Sequence, residues 1–317
     1  MRCIVIGIHG IGNKPSPRLL SKWWEKSIYE GLKKHNYRSQ KFKFVMVYWA
    51  NLLHKTPLDP KVTDRDDPAF MNEKYLPESQ PIIEPTGFRQ KAIEYLENYY
   101  DKLIVKGILS LDNKKLTELF IHRHMKDLES YYSPKYIEVN GKKLLARDAI
   151  IERLADTLWK HRKKKIFLVA HSMGSIITHD ALIKNIPEVK IDTLVSIGSP
   201  LGQRYIIDVY QKELKETSLN KFIVPECIKN GWYNLADLED QVAINHTLSK
   251  IYVNNSAGLG ISDKIVRNNY RYNGLNNPHK SFGYLRTPEF SQILSSFLAR
   301  EERGFITWIN KLLKKKI

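Results

Sequence analysis

Serine at its own pKa is a poor nucleophile and reacts only when a nearby base takes its proton. Ser172 stands in Ala170-His171-Ser172-Met173-Gly174, with a small residue two positions to either side. That spacing suits a sharp turn from a strand into a helix. There a large flanking side chain would strike the neighbouring strand or helix. Alone the pentapeptide is weak, because the same residues fit an ordinary strand-to-helix turn whose serine caps the helix. A base, an acid and donors for a developing oxyanion must come from elsewhere in the chain. Three stretches supply candidates: His9-Gly10-Ile11-Gly12, the acidic run Asp237-Leu238-Glu239-Asp240, and Asn276-Asn277-Pro278-His279.

The elements that must position them follow from hydrophobic pattern. Residues 166–170 are five apolar residues in a row, as in a strand buried on both faces, and 175–184 continue as a helix. Residues 2–9 predict a first strand ending at His9-Gly10. A helix follows over 16–35, with Trp23, Trp24, Ser27, Ile28 and Leu32 on one stripe, then a strand over 42–49. The rhythm stops over 51–145, where prolines and charge clusters precede two amphipathic helices, 87–109 and 113–131. This block reads as an inserted cap or lid on a core of 1–50 and 146–317. A turn at 142 leads into a helix reaching 161. Strand 191–198, a helix near 205–216, short strands from 231 and at 250–254, and helices at 287–299 and from 303 complete the chain.

Composition narrows the function classes. The chain has 317 residues and a formal net charge of +17, which suits nucleic acid, an acidic membrane surface or plain solubility. Its basic residues are spread along the chain, and no zinc-ligand spacing, helix-turn-helix or RNA-binding aromatic signature accompanies them, so no nucleic-acid partner is expected. No apolar run approaches the roughly 18 residues of a membrane span. Residues 1–10 read as a strand, not a secretory leader. The two cysteines, Cys3 and Cys227, do not make a disulfide framework, so a cytoplasmic setting is the default.

Decoys drop out on spacing. Gly7-Ile8-His9-Gly10-Ile11-Gly12 begins like a phosphate loop, but Asn13 puts Lys14 out of register. Pro15 stands where a dinucleotide fingerprint needs glycine. His122 and His124, two apart on a helix, point to different faces and make a poor metal pair. His246 is too close in sequence to Asp240 to serve as the base, and His179 reads as structural.

With Ser172, then Asp240 or Asp237, then His279, the chain resembles the α/β-hydrolase superfamily, in particular its lipase- and esterase-like serine hydrolases. The residues that carry the resemblance are His9-Gly10-Ile11-Gly12, Ala170-His171-Ser172-Met173-Gly174, Gly198-Ser199-Pro200-Leu201, Asn234, Asp237, Asp240-Gln241-Val242 and His279. They span most of the chain outside 51–145. The family's usual first hairpin has no counterpart before residue 2.

The resemblance implies an α/β fold with a mostly parallel central sheet and helices on both faces, carrying a helical cap insertion. It implies Ser172 as nucleophile, His279 as base, and Asp240 as the acid that orients it, with Asp237 the alternative. Backbone N–H groups of Met173 and Ile11, with Gly10 the alternative to Ile11, would bind the oxyanion. His9, Gly10, Gly12, His171 and Gly174 would shape the site. The expected substrate is a small-molecule or lipid carboxylic ester, cleaved through an acyl-enzyme without cofactor or metal. A thioester, an amide, another acyl acceptor or a non-catalytic binding scaffold are the rival readings. Residues 304–317 form one apolar face backed by lysines. They fit packing on the body, which is preferred, or peripheral contact with an acidic membrane.

Overall fold

Alternate side chains of a strand point to opposite faces of its sheet. In β1, Cys3–Ile8, this sorts Ile4, Ile6 and Ile8 into one apolar cluster and Cys3 and Val5 into a second. The computed structural model describes residues 3–38, 41–78, 126–183, 186, 189–216, 222–243 and 245–314. Among them the remaining strands are β2 Phe44–Val47, β3 Tyr136–Val139, β4 Lys142–Leu145, β5 Lys165–His171, β6 Ile191–Ile197 and β7 Phe222–Ile223. They continue with β8 Ile228–Asp237, β9 Tyr252–Val253, β10 Ile261–Val266, β11 Arg271–Tyr272 and β12 Leu275–Asn276. The helices are α1 Pro17–Lys34, α2 Lys126–Tyr132, α3 Ala146–Lys160, α4 Met173–Ile183, α5 Arg204–Glu216, α6 Ser281–Tyr284 and α7 Pro288–Lys314.

The central sheet runs β10-β8-β6-β5-β1-β2, and every pairing in it is parallel. Parallel strands need both faces covered. One face holds the cluster of Leu154, Leu158, Ile176 and Ile177 from α3 and α4. The other holds Trp24, Ile28, Phe290, Leu294 and Phe297 from α1 and α7. Because the strands are parallel, His9, Ser172, Gly198 and Asp237 all fall at or just past C-terminal strand ends, on one edge. From β1 the chain moves outward to β2. From β5 it moves the other way, through β6 and β8 to β10. The direction reverses between β1 and β5, the kind of point at which open α/β sheets take ligands.

Three expectations change. Residues 136–145 form a β3–β4 hairpin, where the sequence predicts only a short turn at 142 before the helix. Asn140 and Gly141, with φ of 51° and 76°, make its two-residue turn, and Asn-Gly is a strong signal for such a turn. Residues 261–266 form β10, an edge strand absent from the sequence reading. Its middle, with Ser262 and Ile265 exposed and Asp263 and Lys264 half-buried, hides the alternation. The last helix is continuous from Pro288 to Lys314, because one interior glycine costs only about 1 kcal/mol against alanine and Gly304 does not break it.

The expected helix at 87–109, most of that at 113–131, His122 and His124 lie outside the described residues, as do side chains beyond Glu301 and hence the packing of 304–317. Among the described residues no helix is long and apolar enough to cross a membrane. Cys3 and Cys227 are both buried free thiols.

Candidate active site

Ser172 sits between β5 and α4 with φ of 53°, a left-handed conformation that costs a non-glycine residue free energy and lifts the side chain off the sheet. Its neighbours hold the turn. The Ser172 N–H donates to the Ile197 carbonyl at 3.1 Å, and Ser175 Oγ donates to the Ser172 carbonyl at 2.6 Å while bonding Ser199 Oγ at 2.7 Å. A Cβ on Gly174 would lie 2.8 Å from the carbonyl oxygens of Ile8 and His9. The elbow therefore packs directly on the β1 backbone, and only glycine fits there.

His279 reaches Ser172 from the loop after β12, with Nε2 3.0 Å from Ser172 Oγ. Its Nδ1 lies 3.0 and 2.9 Å from the two Asp240 carboxylate oxygens. Asp240 is fully buried. Tyr284 Oη donates to it at 2.7 Å and the Val242 N–H at 2.9 Å. The carboxylate on one side and the serine hydroxyl on the other place the imidazole proton on Nδ1 and leave Nε2 as acceptor.

Asp237, the alternative acid, is engaged elsewhere. It accepts from the Glu239 N–H at 2.8 Å and the Asn268 N–H at 2.5 Å, and its own N–H donates to Tyr284 Oη at 2.9 Å. Its contribution to the site runs through Asn268, whose amide donates to the Pro278 and Lys280 carbonyls at 2.7 and 2.9 Å, on either side of His279. The sequence pattern marks neither Asn268 nor Tyr284, and an asparagine in an irregular segment carries no signal of this role. Gly198, seen only as part of a small-residue strand exit, has φ of 56°, and a Cβ there would lie 2.9 Å from Asp240 Oδ2 and 3.1 Å from His279 Nδ1.

His171 donates Nε2–H to the His279 carbonyl at 2.8 Å, its ring centroid 4.8 Å from that of His279. Burial and the adjacent His279 charge push it well below the usual imidazole range. It is a neutral prop for the His279 loop.

The His9 loop lies over the serine. A Cβ on Gly10 would come within 2.7 Å of Ser172 Cβ and 3.2 Å of Oγ. His9 Nδ1 donates to the Gly10 carbonyl at 2.9 Å, and Nε2 accepts from the Trp49 and Ala50 N–H groups at 3.1 and 3.3 Å. A planar trans peptide points its N–H opposite to its C=O, so fixing the Gly10 carbonyl fixes the direction of the Ile11 N–H. That N–H has no hydrogen-bond acceptor among the described residues. Met173 opens α4, where first-turn N–H groups lack an intrahelical partner. Gly12, by contrast, spends its N–H on Asp127 Oδ2 at 2.7 Å.

Burial, with the Lys14 charge beside it, lowers His9 to about 3. Protonating Nε2 would set an N–H against two N–H donors. The unfolded chain takes up this proton near pH 6.5 and the folded chain only near 3, so His9 costs stability as the pH falls through that window. At about pH 5 the loss from this residue is about 2 kcal/mol. Urea unfolding at about pH 7.5 and pH 5 checks it: His9→Gln should show a correspondingly smaller drop than wild type, and an unchanged drop would refute it. Lys14 lies close by, lowered to about 7 by burial and by Lys280.

Such a sheet, with a serine elbow at the strand edge and an imidazole and carboxylate aligned behind it, defines an α/β-hydrolase-like fold. The family model for the PGAP1-like alpha/beta domain matches residues 123–314, and the chain belongs to that family. The match includes Ser172, Asp240 and His279 but not β1 or the His9 loop. No curated protein matches. Among solved structures, the Pyrococcus furiosus esterase Pf2001 is 17% identical, over 49% of this chain and 60% of that one, with a TM-score of 0.23. This chain thus spans under two thirds of that esterase's length.

Proposed function

We propose that the protein is a serine hydrolase cleaving carboxylic esters through an acyl-enzyme. The observation that carries this reading is the continuous line from Asp240 through His279 to Ser172 Oγ, with hydrogen bonds of 2.9 and 3.0 Å.

In the proposed reaction Ser172 Oγ attacks the ester carbonyl carbon. Its proton passes to His279 Nε2, and the carbonyl π pair moves onto oxygen. The oxyanion lies between the N–H groups of Ile11 and Met173, each worth about 2.7–4 kcal/mol in the transition state. Asp240 stabilises the imidazolium so formed. Collapse breaks the C–O bond, and His279 protonates the departing alcohol. Water then repeats the sequence on the acyl-enzyme and frees the acid. The block 51–145 would act as a cap that sets which acyl chains enter.

A fluorophosphonate probe tests the class. Labelling confined to Ser172 in the folded chain is the expected result, and a folded chain that takes no label sinks the proposal. A chain-length series of nitrophenyl esters then reads out the acyl preference.

A further inference from the structure

Asp127 and Tyr131 are four apart on α2, so they share one helix face. Both are buried, and they grip the site from opposite sides. Tyr131 Oη donates to Asp180 Oδ2 in the elbow helix α4 at 2.7 Å. Asp180 also takes hydrogen bonds from Arg147 at 2.7 Å and from Tyr210 at 2.7 Å, which bolts α2 to α4. On the other side, Asp127 Oδ2 accepts the Gly12 N–H at 2.7 Å, and Oδ1 lies 3.0 Å from His54 Nε2. Burial pushes this carboxyl's pKa up. The hydrogen bonds from His54 and Gly12 outweigh that and keep it below the usual range.

The Ile11–Gly12 peptide is thereby held at both ends. Its N–H goes to Asp127, and its C=O accepts from Lys14 Nζ at 2.5 Å. Lys14 also reaches the Gly12 carbonyl at 3.0 Å. The preceding peptide is held by His9 at the Gly10 carbonyl. Two consecutive peptide planes are clamped, and the one N–H between the clamps, that of Ile11, is left without an acceptor.

We infer that Asp127 is a positioning residue for the Ile11 oxyanion donor, supplied from within the inserted block 51–145. The inference rests on the serine-hydrolase reading above. It also gives that block a means of altering the transition state without touching substrate, since a shift of α2 would rotate the Ile11 N–H.

The test uses the full chain with p-nitrophenyl butyrate and an alkyl trifluoromethyl ketone, whose adduct with Ser172 places an oxyanion in the hole. Asp127→Ala should lower kcat by about 10- to 100-fold, the scale of a misplaced group, leave KM nearly unchanged and weaken the ketone by the same factor. Asp127→Asn keeps an acceptor for Gly12 and should lose several-fold less in both readings. A merely structural role would lower the melting temperature without weakening the ketone relative to substrate, and that result overturns the inference. Should Asp127→Ala not fold, Asp127→Asn decides: matched losses in kcat and ketone affinity support positioning, and wild-type values overturn it. A folded wild-type chain that neither labels nor hydrolyses overturns both this inference and the reading beneath it. An active wild type with an equally active Asp127→Ala overturns this inference alone.

Discussion

Ser172→Ala is expected to lower kcat on nitrophenyl esters by about a million-fold and to abolish fluorophosphonate labelling. The size follows from how such a site works. Nucleophile and base act as a unit, so removing the nucleophile costs nearly as much as removing the whole constellation. What would survive under the proposed mechanism is binding and the Ile11 and Met173 donors, which polarise a carbonyl but cannot attack it. The fold should tolerate the change. Ser172 is held through its backbone, by its own N–H to Ile197 and by Ser175 Oγ on its carbonyl, and neither bond uses the side chain. Among the described residues Oγ has one partner, His279 Nε2, and His279 is partly exposed, so its freed nitrogen can turn to water at a cost of about 1 kcal/mol. A melting temperature within a few degrees of wild type, with activity lost, is the expected pair of observations. Labelling that persists at full stoichiometry would mean that another residue is the nucleophile.

The second large effect separates the two aspartates. Asp240→Asn should lower kcat by about 10⁴-fold, because an amide cannot stabilise the imidazolium and favours the wrong tautomer of His279. Asp237→Asn should stay within about tenfold of wild type in kcat while losing about 1–3 kcal/mol of stability. Its carboxylate serves two backbone donors, that of Glu239 and the buried one of Asn268, and one amide oxygen cannot reach both. The comparison needs kcat and urea unfolding on both variants. If Asp237→Asn were the one that collapsed in kcat with its stability intact, the acid would be misassigned.

The aspartate pair shows where sequence reasoning stops. Both residues lie in one acidic stretch, three apart, after the same strand. No property of the stretch states which carboxylate faces the histidine. The choice falls to the turn: β8 ends at Asp237, the Asp240 N–H folds back onto the Asp237 carbonyl at 3.1 Å, and Asp240 swings beneath His279 into the space that Gly198 leaves open. Asn268 is a plainer case. It braces the His279 loop from a segment with no motif at all.

Other parts were legible because they depend on local physics. The five apolar residues before Ser172 could satisfy a doubly buried strand and little else. Small residues around the serine, and the histidine-glycine turn after the first strand, state where backbones must approach closely. From these come the α/β class, the first strand, the elbow and the list of residues at the sheet edge. The hairpin at 136–145 is equally legible, since Asn140-Gly141 is a local turn signal. β10 was not, since an edge strand with one wet face lacks the apolar run that marks its neighbours.

Tertiary structure alone decided what depends on partners distant in the chain. Asp127 lies 115 residues from the Gly12 N–H it accepts, and His279 lies 107 from the serine it meets. A local pattern records the shape a segment can take and which face it must bury. It does not record which carboxylate, 39 residues from the histidine, will find that face closed around it.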